Sequence, residues 1–183
     1  DGSRKPANHA REQYFAYLEA HPGSRSASGN WISLGPEVLP NGKEYKGLGR
    51  LNAIAFHPTD PDIIYVGSPS GGLWVTTVGG NSWTSLTDDQ PTLGVSSIIV
   101  DYVNPDVILI GTGDRDAGDA YGLGVFRSTD AGQTWQEWKN GMGDRTVGRL
   151  LQHPVNHLVM LAATSGGIYR TADGGANWTH IQN

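Results

Sequence analysis

Apolar residues come in short bursts along this chain, and the bursts fall into sets of four. The first set lies near residues 52–56, 62–67, 72–76 and 83–86. The second lies near 95–100, 106–111, 124–128 and 135–138, and the third near 148–152, 158–162, 167–171 and 178–181. Each burst is rich in Val, Ile, Leu, Tyr and Trp and is bounded by Gly, Pro, Asn or Asp. That is the pattern of short β-strands separated by tight turns. Twelve such segments predict an all-β architecture over most of the chain.

The sets are copies of one another. The stretch Ala53–Gly67 aligns on Ser97–Gly111 and again on the stretch from Arg149 to Leu161, so His57, Asp101 and His153 share one repeat position. His57 and Asp101 stand 44 positions apart, and Asp101 and His153 stand 52 apart. The last aromatic residue of each set (Trp83, Trp135, Trp178) gives spacings of 52 and 43. The excess lies in one loop: unit two carries the 11 residues Gly113–Leu123 where unit one has the 3 residues Pro69–Gly71. The underlying period is about 44 residues, within the ~40–50 of propeller-type repeats. Four antiparallel strands per period make a propeller blade. The expected fold is therefore a partial β-propeller of about three four-stranded blades.

Each unit ends in the same eight-residue pattern. Ser128-Thr129-Asp130-Ala131-Gly132-Gln133-Thr134-Trp135 fits Ser/Thr-x-Asp-x-Gly-x-Thr-Trp. Thr171-Ala172-Asp173-Gly174-Gly175-Ala176-Asn177-Trp178 repeats it with Asn at the Thr position. Thr76-Thr77-Val78-Gly79-Gly80-Asn81-Ser82-Trp83 keeps the frame but has Val in place of Asp. In this reading Ser128 and Thr171 end a third strand. Asp130 and Asp173 accept local backbone N–H groups, and Gly132 and Gly175 supply positive φ. Trp135, Trp178 and Trp83 open the fourth strand and bury their rings between sheets. Val78 cannot accept those bonds, so the first turn is expected to be looser. These residues read as structural.

Ahead of the repeats, residues 8–20 read as a short N-terminal helix, with Asn8 as N-cap and Ala10, Tyr14 and Leu18 on one face. His21-Pro22-Gly23 ends it, and residues 24–29 form a polar linker. Gly29-Asn30-Trp31-Ile32-Ser33-Leu34 looks like the end of a unit without its blade. The organisation expected is a helix and linker over 1–28 and blades over 29–183.

The eight-residue pattern resembles the Asp-box, or bacterial neuraminidase repeat. The wider stretch Gly49–Pro58 through Ser70-Gly71-Gly72-Leu73-Trp74 is similar to sortilin-type and xyloglucanase-type propellers. The combination of a short helix, the Trp31–Pro36 strand and Asp-box blades resembles large secreted surface proteins of Bacteroidota-type bacteria, many exported by the type IX system. The resemblance covers residues 29–183 well and the helix loosely. It implies a secreted or cell-surface bacterial protein. In xyloglucanase-type propellers a catalytic Asp precedes the Gly-Gly of the first blade. Here Ser68-Pro69-Ser70-Gly71-Gly72 has no carboxylate, so one member of the required pair is absent from that place. Sialidases share the box but need an arginine cluster, whereas Arg50, Arg115, Arg127, Arg145, Arg149 and Arg170 are scattered and no Arg-Ile-Pro motif occurs.

Composition narrows the field further. Gly accounts for 26 of 183 residues, about twice average usage, which fits a turn-rich chain. The net charge of −5 with no basic patch argues against nucleic acid as partner. No cysteine is present, which excludes disulfide staples and thiolate sites. No apolar run reaches the 18 residues that suggest a membrane-spanning helix.

The lengthened loop is the remaining place for chemistry. It holds Asp114, Asp116 and Asp119 within six residues, among glycines. Asp-x-Asp spacing suits a hard cation such as Ca²⁺, although the match to an EF-hand loop is poor. Three readings stand: a solvated turn whose Asp side chains cap N–H groups, a structural Ca²⁺ site, or a catalytic or substrate-binding role. His57 and His153 recur with the repeat, each before Pro, and read as turn residues rather than ligands. His9, His21, His157 and His180 show no ligand spacing.

Three blades do not close a ring that needs ~4–8. The partners expected are the remaining propeller blades, on the same longer protein or another chain, together with a protein or glycan ligand. Self-assembly and a bound proteolytic piece are the alternatives to a longer protein. The reading favoured by sequence is a non-catalytic binding or scaffold segment, with no catalytic residue assigned. The alternative is part of a xyloglucanase-like glycoside hydrolase whose catalytic residues lie mainly in other blades, with Asp114 or Asp116 as local candidates. A photosystem-type assembly-factor propeller has similar repeats, but the acidic insertion and N-terminal helix disfavour it.

Overall fold

The computed structural model describes residue 20 and residues 50–118 and 120–181. The expected helix over 8–20 (Ala20 apart), the linker, the strand at Trp31 and hence the 1–28 boundary lie outside the described residues.

Among the described residues, twelve strands form three separate four-stranded antiparallel sheets, each a meander in chain order. Blade 1 contains β1 (Ala53–Phe56), β2 (Ile64–Ser68), β3 (Gly72–Thr76) and β4 (Thr84–Ser85). Blade 2 contains β5 (Val95–Val100), β6 (Ile108–Thr112), β7 (Val125–Ser128) and β8 (Gln136–Glu137). Blade 3 contains β9 (Val147–Gln152), β10 (Met160–Thr164), β11 (Gly167–Thr171) and β12 (Thr179–His180). The all-β partial propeller expected from the repeat is what forms.

The second strand of each blade starts two residues later than the apolar pattern implies. Residues 60–63, 104–107 and 156–159 close turns first, through Ile63 N–H to Asp60 O, Val107 N–H to Asn104 O and Val159 N–H to Asn156 O. Local turn bonds claim these backbone groups before the ladder begins. The fourth strands are also shorter than expected, with only two ladder pairs each, and every motif Trp sits just before its strand.

Burial follows blade position. All five residues of β6 are buried, whereas β10 alternates buried and exposed positions. A middle blade is covered on both faces and an outer blade on one. Two apolar clusters result. One joins Tyr65 and Leu73 of blade 1 to Val95, Ile108, Ile110 and Phe126 of blade 2. The other joins Ile99, Leu109 and Val125 of blade 2 to Val147, Leu150, Met160, Ala162, Tyr169 and Trp178 of blade 3.

The motif turns have one backbone shape in all three blades. Their fourth and fifth residues take positive φ: 61° and 92° at Gly79 and Gly80, 56° and 92° at Ala131 and Gly132, 72° and 90° at Gly174 and Gly175. Ala131 is the lone non-glycine in that region among the described residues. The expectation of a looser first turn is therefore not met. Thr76 Oγ1 still receives Gly80 N–H at 2.9 Å, as Ser128 and Thr171 receive Gly132 and Gly175. What Val78 removes is a set of side-chain bonds, while the hydroxyl and two glycines hold the backbone.

Candidate functional site

The motif carboxylates are fully engaged. Asp130 accepts Thr134 N–H at 2.8 Å, Thr134 Oγ1 at 2.6 Å and Ser128 Oγ at 2.7 Å. Asp173 does the same with Asn177 N–H (3.0 Å), Asn177 Nδ2 (2.8 Å) and Thr171 Oγ1 (2.7 Å). The Thr134 bonds first, then Ser128, lower the Asp130 pKa to about 2. The Asn177 side chain, then Thr171, lower Asp173 to about 2. A general acid needs its pKa raised. Both carboxylates move the other way.

The motif tryptophans link the blades. Trp135 Nε1–H donates to Leu86 O at 2.9 Å, and Trp178 Nε1–H donates to Trp138 O at 2.9 Å. Leu86 and Trp138 each stand three residues past the preceding motif Trp, so the bond recurs with the repeat. Trp83 Nε1–H reaches Gly80 O of its own turn at 3.1 Å. The side chains of Leu86 and Trp138 lie against Gly132 and Gly175 of the next blade, where a Cβ would come within 2.7 and 2.8 Å of them.

The acidic loop crosses all three blades. Asp114 is buried and accepts Arg50 Nη2 at 2.5 Å, Asn52 Nδ2 at 3.4 Å, Asp116 N–H at 3.1 Å and Ala117 N–H at 3.2 Å. Arg115 Nη1 donates to Gly148 O of blade 3 at 3.1 Å. Thr92 Oγ1 donates to Tyr121 O at 2.9 Å. Asp116 is half exposed and pairs with Arg115 Nε at 3.3 Å. Asp119 lies outside the described residues. Among the described residues, no group of three or more His, Asp or Glu converges as a metal site. The partners of Asp114 include these N–H donors, which make an ion pair with Arg50 and cap the turn at Asp116 and Ala117.

A second polar cluster joins blades 2 and 3. Asp101 is buried; its Oδ1 accepts Val103 N–H at 2.8 Å and Asn104 N–H at 3.1 Å. Its Oδ2 meets His157 Nδ1 at 2.8 Å and Gln152 Nε2 at 3.1 Å. Burial alone would raise the Asp101 pKa, but the His157 bond and the Asn104 and Val103 N–H groups outweigh it, and the net direction is down. At the same repeat position, His57 and His153 use Nδ1 to accept Asp60 and Asn156 N–H at 3.1 Å each. They are turn residues, as the repeat implies.

The Asp101 cluster was not found from sequence, although the signal was there. Gln152 stands where the other units have Phe56 and Val100, and His157 where they have Pro61 and Pro105. Three departures from the repeat meet at one point.

A xyloglucanase of Paenibacillus sp is 33% identical over 150 residues, covering 74% of this chain and 15% of that protein. Xyloglucanase Xgh74A of Acetivibrio thermocellus is 29% identical over 152 residues, covering 75% of this chain and 18% of its own length. Among solved structures, the GH74 xyloglucanase of Xanthomonas campestris superposes with a TM-score of 0.54 at 27% identity, over 72% of this chain and 20% of that one. The fold is that of a xyloglucanase-like β-propeller. An ancestral GH74 enzyme gives a TM-score of 0.59 at 25% identity, over 73% of this chain and 18% of that chain. No family model matches. The chain spans 15–18% of the length of the curated relatives it matches.

Proposed function

We propose that this chain is a propeller segment of a glycoside hydrolase acting on xyloglucan-type polysaccharide, contributing ring structure while the catalytic carboxylates lie mainly in other blades. The observation that carries this is the 33% identity to a xyloglucanase across 150 residues, 74% of this chain. It favours the hydrolase reading over the non-catalytic scaffold preferred from sequence. The same reading keeps the eight-residue turns as Asp-boxes and a secreted or cell-surface bacterial setting, where polymeric glycan is met.

The local chemistry fits a supporting part. Ser68–Gly72 carries no carboxylate, Asp114 is bound by Arg50, and Asp130 and Asp173 are held ionised by their turns. Those observations also keep a second reading in view, a glycan-binding propeller without turnover. The test is a reducing-sugar assay of the full polypeptide on xyloglucan, with affinity electrophoresis alongside. Release of oligosaccharides supports the hydrolase. Retardation without release selects the binding reading, and neither effect with xyloglucan or related glucans overturns both. Loss of turnover in Asp116→Asn would instead place catalysis in the acidic loop.

A further inference from the structure

One face of blade 3 is dressed for a contact that its two predecessors already make. Leu151, Leu161 and Ile168 occupy the repeat positions of Ile99, Leu109 and Val125 in blade 2. The blade 2 residues are at most 7% exposed because blade 3 covers them. In blade 1, Tyr65 and Leu73 are covered by blade 2 in the same way. In blade 3, the three equivalents are 38–52% exposed. Ile181, which matches Leu86 and Trp138, is exposed too, and its N–H closes the same bond to the third strand, Ile168 O at 2.8 Å. A depression of about 410 Å³ lined by Leu151, His153, Val159, Leu161 and Arg170 lies on this face.

The interface seen twice states what a third instance requires. The incoming blade lays a motif glycine on the Trp+3 side chain and donates its indole N–H to that residue's carbonyl. It also brings a first-strand valine onto a second-strand glycine. A Cβ added at Gly67 would lie 2.7 Å from Val95 Cγ1, and one added at Gly111 would lie 2.7 Å from Val147 Cγ1. Blade 3 has Ala163 at that position, so the Cβ is already there. Overpacking of this kind is not absorbed in a close-packed interface.

The remaining blades expected from the repeat put a fourth unit on this face, and we propose that Ala163 requires that unit to carry a residue no larger than alanine where blades 2 and 3 carry Val95 and Val147. The same steric rule disfavours a second copy of this chain as occupant, because blade 1 would bring Leu51 onto Ala163. Relatives more than five times the length of the matched segment have room for further blades. The proposal is independent of the substrate.

The test splices a second copy of residues 87–138 after Ile181, once unchanged and once with its Val95→Gly. Amide hydrogen exchange is then read over residues 160–171. The glycine version should slow exchange there roughly tenfold or more, the valine version much less, and Ala163→Gly should restore docking of the valine version. Equal protection by both versions, or by neither, overturns the proposal. Light scattering on the unextended chain gives a readout that needs no added unit. A monomer is expected; a dimer that Leu161→Asp dissolves would assign the face to a second copy instead.

Discussion

Replacing Asp101 by Ala tests whether the blade 2–blade 3 interface depends on one buried carboxylate. The substitution removes four hydrogen bonds at once. Two are to Val103 and Asn104 N–H at a turn that water can reach, worth roughly 0.5 kcal/mol each after rehydration. Two come from Gln152 and His157 to a buried oxygen, where bonds to a charged group are worth about 1.5–3 kcal/mol. The His157 side chain is 33% exposed, which discounts that pair to about 1 kcal/mol. The expected loss is about 4 kcal/mol at pH 7, read by urea unfolding followed by tryptophan fluorescence. The sign with pH follows from the lowered pKa of Asp101. Its contribution is complete above the ordinary value of 3.8 and is lost as pH falls through the folded value. The gap between wild type and Asp101→Ala should therefore narrow below pH 3.8. A loss under about 0.5 kcal/mol, or a gap that stays constant on acidification, would refute the reasoning.

Three further outcomes follow from the same geometry. Gly111→Ala should cost about 1–3 kcal/mol by pressing on Val147, and Val147→Ala in the same chain should recover most of it; additive losses in the urea titration would contradict this. Val78→Asp places a carboxylate opposite Ser82 in a turn already shaped for it, and should add about 0.5–1 kcal/mol; a thermal midpoint no higher than wild type would count against it. Carboxyl-carbon NMR titration should place Asp130 and Asp173 near 2, so that their contribution, present above 3.8, is lost as pH approaches 2; midpoints near 3.8 would show the turn bonds are not formed in solution.

The blades were legible because their instructions are local and repeated. Gly-rich turns, apolar bursts and a terminal Trp recur in register, and each unit folds on contacts a few residues apart. The candidate site was less legible because its contacts span the repeat. Arg50 meets Asp114 across 64 positions, and His157 meets Asp101 across 56. Asp114 stands out in sequence by its acidic neighbours, whereas in space its partners include Arg50 and Asn52, far away along the chain, beside the N–H groups of Asp116 and Ala117. Strand starts at Ile64, Ile108 and Met160 were misplaced by two residues because the turn bonds before them are not visible in hydropathy.

Those long-range contacts bear on how a repeat chain keeps its blades in order. In a linear array, stability is the sum of unit terms and nearest-neighbour interface terms. If every interface were identical, only the short connections between consecutive blades would oppose docking out of order. The Trp indole bond to the residue three past the previous Trp is such an interchangeable element, present at both interfaces. The aperiodic residues are not interchangeable. Asp101, Gln152 and His157 can meet only at the second interface, and the Asp114–Arg115 loop ties blade 2 forward to Gly148 and back to Arg50. Specificity of this kind is a difference between the right partner and the wrong ones. Departures from the repeat therefore distinguish one interface from the other and reinforce the order that the chain imposes, while the repeat itself sets the shape of the blades. Blade 2, which contributes to both interfaces and carries the bridging loop, holds the other two in sequence.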